Sequence, residues 1–268
     1  MNAQIQPHNL KPASVWSSGG AAYDQISRQI ASALAHCARR LDPRPGEMVL
    51  DVATGTGWTS RLVAEQGAIV TGVDIAADLL AAARERAPAR LSLDYKLGDA
   101  EALPFADGTF DAVSSTFGVM FASRPEAAAG EIARVCRTDG RMALATWKPD
   151  STVFGMFQVM RPYMPPPPTP APPSPFAWGS RERMTELFGD AFDLAFEDGE
   201  TVCYERDGAA VWDVFVEGYG PTRKLAEGLD ADRREALRRD FTAFHDRYRG
   251  PLGVAMPRQY LITVGTRR

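Results

Sequence analysis

The feature that most constrains the fold is an alternation of short apolar segments with helical segments between Met48 and Trp147. The apolar segments have the length of strands. The helical segments are amphipathic, and one of them, PEAAAGEIARVCR, is followed by the turn TDG and the apolar run RMALATW. Strands that alternate with helices of about ten to fifteen residues are typical of a parallel sheet with helices on both faces. We therefore predict an α/β fold with a doubly wound sheet.

Flanking segments extend this pattern. Apolar residues at three- and four-residue steps predict one amphipathic helix in YDQISRQIASALAHCARRL, which starts at Tyr23. After residue 190, LAFEDGETVCYERD predicts a strand with a turn or bulge at its Asp-Gly pair, and MPRQYLITVGTRR predicts a last strand. We expect these two late strands to pair with each other as an antiparallel edge.

The composition favours a small-molecule partner. The chain has 268 residues, 45% of them hydrophobic, and a formal net charge of -4 without any run of basic residues. This charge distribution therefore does not favour nucleic acid or an acidic membrane as a partner. The cysteines, Cys37, Cys136 and Cys203, lie far apart, so we predict no metal site and a reducing compartment. No segment has the pattern of a signal peptide or a membrane span, so we expect a cytoplasmic protein, either monomer or homodimer.

A glycine loop follows the first strand, in LDVATGTGW. Asp51 ends the strand, and Gly55 and Gly57 precede the next helix. Glycines let the backbone approach a ligand and a helix N-terminus offers unpaired N–H groups, so a nucleotide-like ligand is expected. Ser60 stands where a GxGxxG dinucleotide fingerprint has its third glycine, so that match is incomplete. A tight turn that only packs the helix against the strand is the alternative.

Acidic residues end three consecutive strands, at Asp51, Asp74 and Asp99. The carboxyl ends of parallel strands lie at one edge of a doubly wound sheet, where such sheets bind ligands. Asp74 lies nineteen residues beyond Gly55, and an acid at this place can accept both hydroxyls of a ribose. A chance alignment of solvated loop acids is the alternative.

Five segments carry a resemblance to a known family, in the order LDVATGTGW, VTGVDIA, GDAEALPF, FDAVSSTFGVMF and RTDG before RMALATW. They look like the class I S-adenosylmethionine-dependent methyltransferases of type 11, in the subgroup of the ubiquinone and menaquinone C-methyltransferases. The resemblance covers Tyr23 to Trp147. It implies S-adenosylmethionine as cofactor, a small-molecule methyl acceptor, and a Rossmann-like sheet of seven strands whose last strand is antiparallel.

We expect the chain to be organised in four segments, although the quinone C-methyltransferases lack so long a proline-rich insertion. Residues 1–40 form an N-terminal arm with a capping helix, and residues 41–147 form the cofactor-binding core. Residues 148–190 form a helical, proline-rich substrate lid inserted after the fifth strand. Residues 191–268 complete the sheet and carry a further helical insertion.

The resemblance also assigns site residues. The amino acid part of the cofactor would be met by Asp51, Ala53, Thr54, Gly55 and Gly57. The nucleoside would be met by Asp74 at the ribose, Ile75 at the adenine face, and Asp99 and Ala100 at the adenine edge. Thr116 and Phe117 would lie beneath the methionyl chain, and Trp16 and Tyr23 would cover the cofactor. Aromatic faces attract a sulfonium cation by roughly 0.5 to 2 kcal/mol each, although these aromatic residues also suit ordinary packing.

Rival functions remain open at this point. An NAD(P)-dependent oxidoreductase would call for the third glycine and a Tyr-x-x-x-Lys pair, and we find neither, whereas S-adenosylmethionine has no pyrophosphate and needs no third glycine. A binding or regulatory protein that has lost catalysis is the second rival. We assign no catalytic base, because His8, His36 and His245 are not tied to any motif; a core or surface position is the simpler reading of His245.

The most unusual segment is MPPPPTPAPPSPFAW, from Met164 to Trp178. A linker between domains is disfavoured, because the chain must return to complete the same sheet. Docking of an SH3-like partner on its PxxP spacing is an alternative. We expect a substrate lid, because apolar residues flank the prolines on both sides and stiff polyproline could cross the mouth of a pocket.

Overall fold

The computed structural model describes residues 5–166 and 172–268. Its helices are α1 (Leu10–Ser17), α2 (Tyr23–Arg28), α3 (Ala31–Leu41), α4 (Trp58–Ala64), α5 (Ala77–Glu85), α6 (Pro125–Val135), α7 (Thr152–Met160), α8 (Arg181–Phe188), α9 (Gly208–Gly218), α10 (Gly220–Glu227) and α11 (Ala231–Asp246). Its strands are β1 (Met48–Val52), β2 (Ile69–Asp74), β3 (Leu93–Leu97), β4 (Phe110–Thr116), β5 (Cys136–Trp147), β6 (Phe192–Glu205), β7 (Arg249–Gly250) and β8 (Gly253–Arg267).

One sheet runs through the chain in the order β3-β2-β1-β4-β5-β8-β6, and the two-residue β7 pairs with β8. Neighbouring strands from β3 to β5 are parallel, whereas β8 is antiparallel to both β5 and β6. The predicted α/β fold with a late antiparallel strand is confirmed, and β7 is a short addition to the seven strands expected.

The centre of the sheet is buried on both of its faces. Val49, Leu50, Asp51 and Val52 are all inaccessible to solvent, as expected of a parallel strand covered by helices on both sides. The strand order reverses between β1 and its neighbours β2 and β4, so the carboxyl ends of these strands flank a crevice. Such a reversal is where open α/β sheets bind their ligands.

Two local predictions differ from the structure at helices and strands. The helix expected from Tyr23 onward is divided into α2 and α3, with Ile30 at φ -121° between them. The TDG turn is absorbed into β5, where Asp139 has φ 58° and the pairing with β4 shifts register after Phe110. Both differences are explained by tertiary contacts. Helix α2 turns toward the glycine loop, and β5 is longer than expected because it pairs with β4.

The Asp198-Gly199 pair does not form the turn or bulge expected there. Strand β6 continues through it with unbroken pairing to β8. A Cβ on Gly199 would lie 2.3 Å from the ring of Tyr260, so this glycine admits an aromatic ring across the strand. Packing, rather than turn chemistry, explains the glycine.

The proline-rich segment is described only in part, since residues 167–171 lie outside the described residues. Before it, α7 is followed by a 3₁₀ turn at Arg161–Tyr163, and after it a second 3₁₀ turn spans Pro175–Gly179. Trp178 is buried, and its carbonyl oxygen accepts a hydrogen bond of 2.9 Å from Thr146 Oγ1 in β5. The segment thus joins two parts of one sheet, and β6 and β8 complete that sheet as expected.

Candidate active site

A cavity of about 990 Å³, counting its open mouth, lies at the carboxyl ends of β1, β2 and β4. Its lining comes from the N-terminal arm, α2, the glycine loop and the segments after β2, β3 and β4. The site residues expected from the sequence that line it are Trp16, Tyr23, Ala53, Thr54, Gly55, Asp74, Ile75, Asp99, Ala100, Thr116 and Phe117. Asp51 and Gly57 do not line it.

The glycine loop makes a tight turn with three left-handed residues. Ala53, Gly55 and Gly57 have φ angles of 55°, 58° and 80°, and α4 begins at the next residue, Trp58. A left-handed conformation costs glycine little but costs alanine more, so Ala53 is held there by its surroundings. The carbon Cε1 of Tyr23 lies 3.5 Å from the place of a Cβ on Gly55, so a tyrosine covers the loop closely.

Asp51 is fully buried beneath this loop and does not face the cavity. Its carboxylate accepts hydrogen bonds from Thr54 Oγ1 at 2.7 Å, Ser60 Oγ at 2.7 Å and Ser114 Oγ at 3.0 Å. Burial raises the pKa of Asp51, and the three hydroxyl donors oppose that rise. Ser60, in the place of the absent third glycine, therefore anchors the loop from below. Asp51 positions the loop backbone in this structure.

A glycine is needed at position 57 because another side chain lies close to it, and not because the residue lines the cavity. A Cβ there would lie 2.4 Å from the hydroxyl oxygen of Tyr95 in β3. The left-handed φ of Gly57 adds a second reason for glycine at this place.

Asp74 lines the cavity at the end of β2 and is nearly buried. Its two carboxylate oxygens each accept one backbone hydrogen bond, from Gly55 N and from Ala76 N, both at 2.8 Å. Each oxygen keeps a lone pair, which suits the two hydroxyls of a ribose. Burial raises the pKa of Asp74 to about 6, and the backbone N–H groups oppose that rise.

Asp99, at the next strand end, is held by the N-terminal arm. One of its oxygens accepts from Gln6 N at 3.0 Å and from Asn9 Nδ2 at 2.9 Å, and the other accepts from Glu101 N at 3.0 Å. Asn9 is buried, and its amide oxygen accepts from Ser123 Oγ. The arm is therefore pinned across the cavity by Asn9, which our reading of the sequence missed because no local motif marks it.

A second contact of the arm lies beside the first. His8 Nε2 is 2.7 Å from a carboxylate oxygen of Glu101, whose side chain is almost fully buried and lines the cavity. The other oxygen of Glu101 accepts from Arg124 N at 2.9 Å. Glu101 thus links the arm to the start of α6.

The end of β4 forms the opposite wall of the cavity. Phe117 has φ 58° and stacks on Trp147, with ring centroids 3.8 Å apart and planes 17° apart. A Cβ on Gly118 would lie 2.4 Å from Cβ of Ala53, so the glycine lets the loops after β1 and β4 touch. Thr116 and Thr59 share a hydroxyl hydrogen bond of 2.7 Å.

Aromatic side chains cover the cavity on the side of the arm. The Trp16 ring lies 5.1 Å from Phe121 and 5.4 Å from Tyr219, between centroids, and both contacts are edge-on. Asp24 anchors this cover, because its carboxylate accepts from Trp58 Nε1 at 2.8 Å. Asp24 is a second residue that our reading of the sequence missed.

The described part of the chain places no histidine in the cavity lining. His245 is buried among Phe241, Phe244 and Phe215, and burial lowers its pKa to about 4. His36 Nδ1 lies 2.9 Å from the hydroxyl of Tyr260. The core position considered for His245 is therefore the one observed.

Clusters of potential metal ligands are also absent from residues 5–166 and 172–268. No group of three or more His, Cys, Asp or Glu side chains there could hold a metal ion. Cys37, Cys136 and Cys203 are free and buried. No helix within those residues is long and apolar enough to cross a membrane.

Comparison with known proteins agrees with this geometry. A family model described as a methyltransferase domain matches residues 50–144. An uncharacterized protein of Mycobacterium tuberculosis is 39% identical over 209 residues, which are 73% of this chain and 76% of the relative. A demethylmenaquinone methyltransferase of Beutenbergia cavernae is 39% identical over 122 residues, which are 44% of this chain and 50% of that enzyme.

Solved structures share the fold. The YcgJ protein from Bacillus subtilis has a TM-score of 0.60 at 17% identity, covering 88% of this chain and 98% of its own. A phosphoethanolamine N-methyltransferase of Haemonchus contortus, solved with S-adenosylhomocysteine, has a TM-score of 0.55 at 17% identity, covering 88% of this chain and 52% of its own. The chain belongs to the S-adenosylmethionine-dependent methyltransferases of class I. The cofactor of this family is S-adenosylmethionine.

The cavity suits this cofactor. Asp74 and Asp99 offer carboxylate acceptors in its lining, and Trp16, Phe117 and Phe121 offer aromatic faces. A nucleoside with hydroxyl and amino donors and a sulfonium cation calls for these two chemistries.

Proposed function

We propose that the protein transfers the methyl group of S-adenosylmethionine to an O, N, S or C atom of a small, partly hydrophobic acceptor by in-line displacement. When bound, the cofactor supplies a methyl group on a positively charged sulfur, which is an activated leaving group. The observation that supports the proposal is the presence of both carboxylate acceptors and aromatic faces in the lining of one cavity.

The residues of the chain would act mainly by position. Much of the rate of such a transfer comes from holding the attacking atom about 3 to 3.5 Å from the methyl carbon. Trp16, Phe117 and Phe121 form rigid walls for this purpose, because each packs against a further aromatic ring. No cavity-lining histidine stands ready as a base among the described residues, so the acceptor best suited is one that loses its proton before it reacts.

The rest of the acceptor site would come from the insertion at residues 148–190. Phe157 lies one aromatic layer behind the cavity, with its ring centroid 6.3 Å from that of Phe121 and 6.4 Å from that of Tyr219. Phe176 packs edge-on against Phe157 at 5.1 Å. We propose that this aromatic layer closes over the acceptor, which is the substrate-lid role expected from the sequence.

The acceptor would be a small molecule instead of a nucleic acid or a membrane lipid surface, and the protein would work in the cytoplasm. Three free buried cysteines suit a reducing compartment. The net charge of -4 offers no attraction to a polyanion.

Calorimetry with S-adenosylmethionine, S-adenosylhomocysteine and NAD tests the cofactor side of the proposal. We expect binding of the first two at micromolar concentration and no binding of NAD. Release of S-adenosylhomocysteine is then followed with a panel of phenols, quinones, small acids and thiols. Turnover with any of them supports catalysis, whereas cofactor binding without turnover across the panel favours the non-catalytic binding protein.

A further inference from the structure

Arg258 lies above the carboxyl edge of the sheet, on the side of the proposed acceptor site. Tyr260 in β8 pairs with Trp147, the last residue of β5, so the part of β8 before Tyr260 extends beyond that edge. Residues two apart in a strand share a face, so Arg258 is on the face of Tyr260. The Tyr260 ring lies 5.8 Å from the ring of Phe117, which lines the cavity.

The guanidinium of Arg258 is buried without an acidic partner. The residue is 3% exposed, and no Asp or Glu in the described parts of the chain lies within ion-pair distance of it. Its Nη2 donates a long hydrogen bond of 3.4 Å to Gln29 Oε1, its guanidinium lies beside the thiol of Cys203, and its Nε has no hydrogen-bond partner of good geometry. Gln29 also donates to Glu205 at 2.9 Å, so the amide separates the cation from the nearest carboxylate in this network.

A second unpartnered polar atom borders the same ring. His245 Nδ1 lies 2.8 Å from the carbonyl oxygen of Phe241, to which it must donate, and so Nε2 is a buried acceptor without a donor. The Phe215 ring centroid lies 5.8 Å from Cζ of Arg258 and 6.5 Å from the His245 ring centroid. One unpaired donor and one unpaired acceptor therefore flank Phe215.

Such an arrangement is costly for a structural role alone. A buried charge is normally paired or fully hydrogen-bonded, because removal of an ion from water costs several kcal/mol or more. The buried charge of Asp51, by comparison, accepts three hydrogen bonds from hydroxyl groups. An anion supplied by a ligand would complete the cluster at Arg258.

The cluster is close to the cavity along two routes. Phe215 packs against Tyr219 at 5.4 Å, and Tyr219 packs against Trp16, which lines the cavity. Gln29 lies between Ser27 and Ile30 in sequence, and both of those residues also line the cavity. Arg258 itself does not line the cavity, so a ligand would reach it only past the packed rings of Phe215 and Tyr219.

We propose that Arg258 binds a carboxylate of the methyl acceptor, so that the acceptor is an aromatic acid. The proposal rests on the proposed methyl transfer and deepens it, because it names the class of acceptor. Arg258 is a specificity-determining residue, which would hold the acid so that its reactive atom faces the cofactor. Apolar rings suit the body of the acceptor, and the buried cation suits its charged end.

The first test is thermal stability in the absence of ligand. We expect Arg258→Met to melt no lower than the wild type, because removal of an unpaired buried cation relieves a cost. Arg249→Met, at an exposed arginine in β7, is the matched control. A marked drop in melting temperature for Arg258→Met alone would show a structural role and would overturn the proposal.

The second test measures discrimination between acids and their amides. Benzoate, cinnamate and 4-hydroxybenzoate are each compared with the corresponding amide, in protein saturated with S-adenosylhomocysteine. We expect at least one acid to bind the wild type tenfold or more tightly than its amide, and Arg258→Met to bind the two within twofold. Arg249→Met should keep the wild-type preference. A structural role would lower binding of acid and amide together, without changing their ratio.

Failure of this proposal is distinguishable from failure of the proposed function. If S-adenosylhomocysteine binds but no acid is preferred to its amide, the Arg258 proposal is wrong and the methyltransferase proposal stands. If S-adenosylhomocysteine does not bind, the proposed function itself fails, and the Arg258 proposal fails with it.

Discussion

The two halves of the active-site region are built in different ways. In residues 41–147 the cavity-lining residues lie at the end of a parallel strand or in the segment that follows it, so local sequence and function coincide. In residues 148–268 the side chains near the cavity come from α7, α9 and β8, which are distant in sequence and meet only through packing. The difference indicates that the part of the site in residues 41–147 is encoded by motifs, whereas the surroundings contributed by residues 148–268 depend on tertiary contacts.

The polar groups of the two halves differ as well. Asp74 and Asp99 in the first half are satisfied by backbone N–H groups and by the arm. Arg258 in the second half is a buried cation without an acidic partner, whereas the first half leaves a neutral buried group, the Tyr95 hydroxyl, without a partner. We infer that the charged groups of the first half are preorganised for a constant ligand.

The largest expected effect on cofactor affinity comes from a substitution in residues 41–147. Replacement of Asp74 by Ala should weaken S-adenosylmethionine binding by more than tenfold, because hydrogen bonds to a charged acceptor are worth about 1.5 to 3 kcal/mol. Calorimetry measures the change. Asp94→Ala, at an exposed acid in β3, should leave the affinity unaltered. If the folded Asp74→Ala variant binds S-adenosylmethionine as tightly as the wild type does, Asp74 does not bind the ribose.

A pH titration sharpens the same point. The pKa of Asp74, raised by burial to about 6, lies above the ordinary value for aspartate, so the folded chain binds a proton more readily than the unfolded chain. Between about pH 4 and pH 6 this residue therefore costs stability as the pH rises. In the ribose role that we propose for Asp74, the ionised form accepts the hydroxyls, so cofactor affinity should be about tenfold weaker at pH 5 than at pH 7.

Two variants identify the titrating group in that experiment. Asp74→Asn should bind the cofactor weakly and with little dependence on pH over this range. His8→Gln removes the histidine of the arm and should retain the wild-type dependence. A profile that flattens in His8→Gln instead would contradict the assignment of the titration to Asp74.

A smaller effect is expected at the arm, which joins the two halves. Asn9→Ala removes the side-chain donor to Asp99 and should weaken cofactor binding by about fivefold, which corresponds to about 1 kcal/mol for one hydrogen bond. Gln6→Ala is a matched control, because Gln6 donates to Asp99 from its backbone N–H. If both variants bind as tightly as the wild type, the arm does not hold the cofactor.

The smallest effect on cofactor affinity should come from a substitution in residues 148–268. Phe157→Leu should change the affinity for S-adenosylmethionine by less than twofold, since Phe157 does not line the cavity. It should raise the Michaelis constant of an acceptor found in the panel several-fold, since the ring backs Phe121 and Tyr219. Gln158→Ala, exposed on the same helix, is the control. A loss of cofactor affinity in Phe157→Leu would contradict the division into two halves.

Comparison of expectation with structure supports this division. The strand-end acids, the glycine loop and the late antiparallel strands were all predictable, because period and spacing are local properties of the chain. Asn9 and Asp24 were not, because each gains its role from a partner more than thirty residues away. Asp51 was placed at the right strand end, yet its side chain points below the loop toward Ser60 and Ser114.

The sequence by itself determined the class of fold, the order of strands and helices around the glycine loop, and the family with its cofactor. These follow from hydrophobic period and from short motifs at strand ends, which act over a few residues. The tertiary structure alone decided that the arm is pinned by Asn9, that β6 runs straight through Gly199, and that Arg258 is buried without an acid. Each of these depends on which surfaces, distant in sequence, come into contact when the core excludes water. No local sequence pattern predicts such a contact.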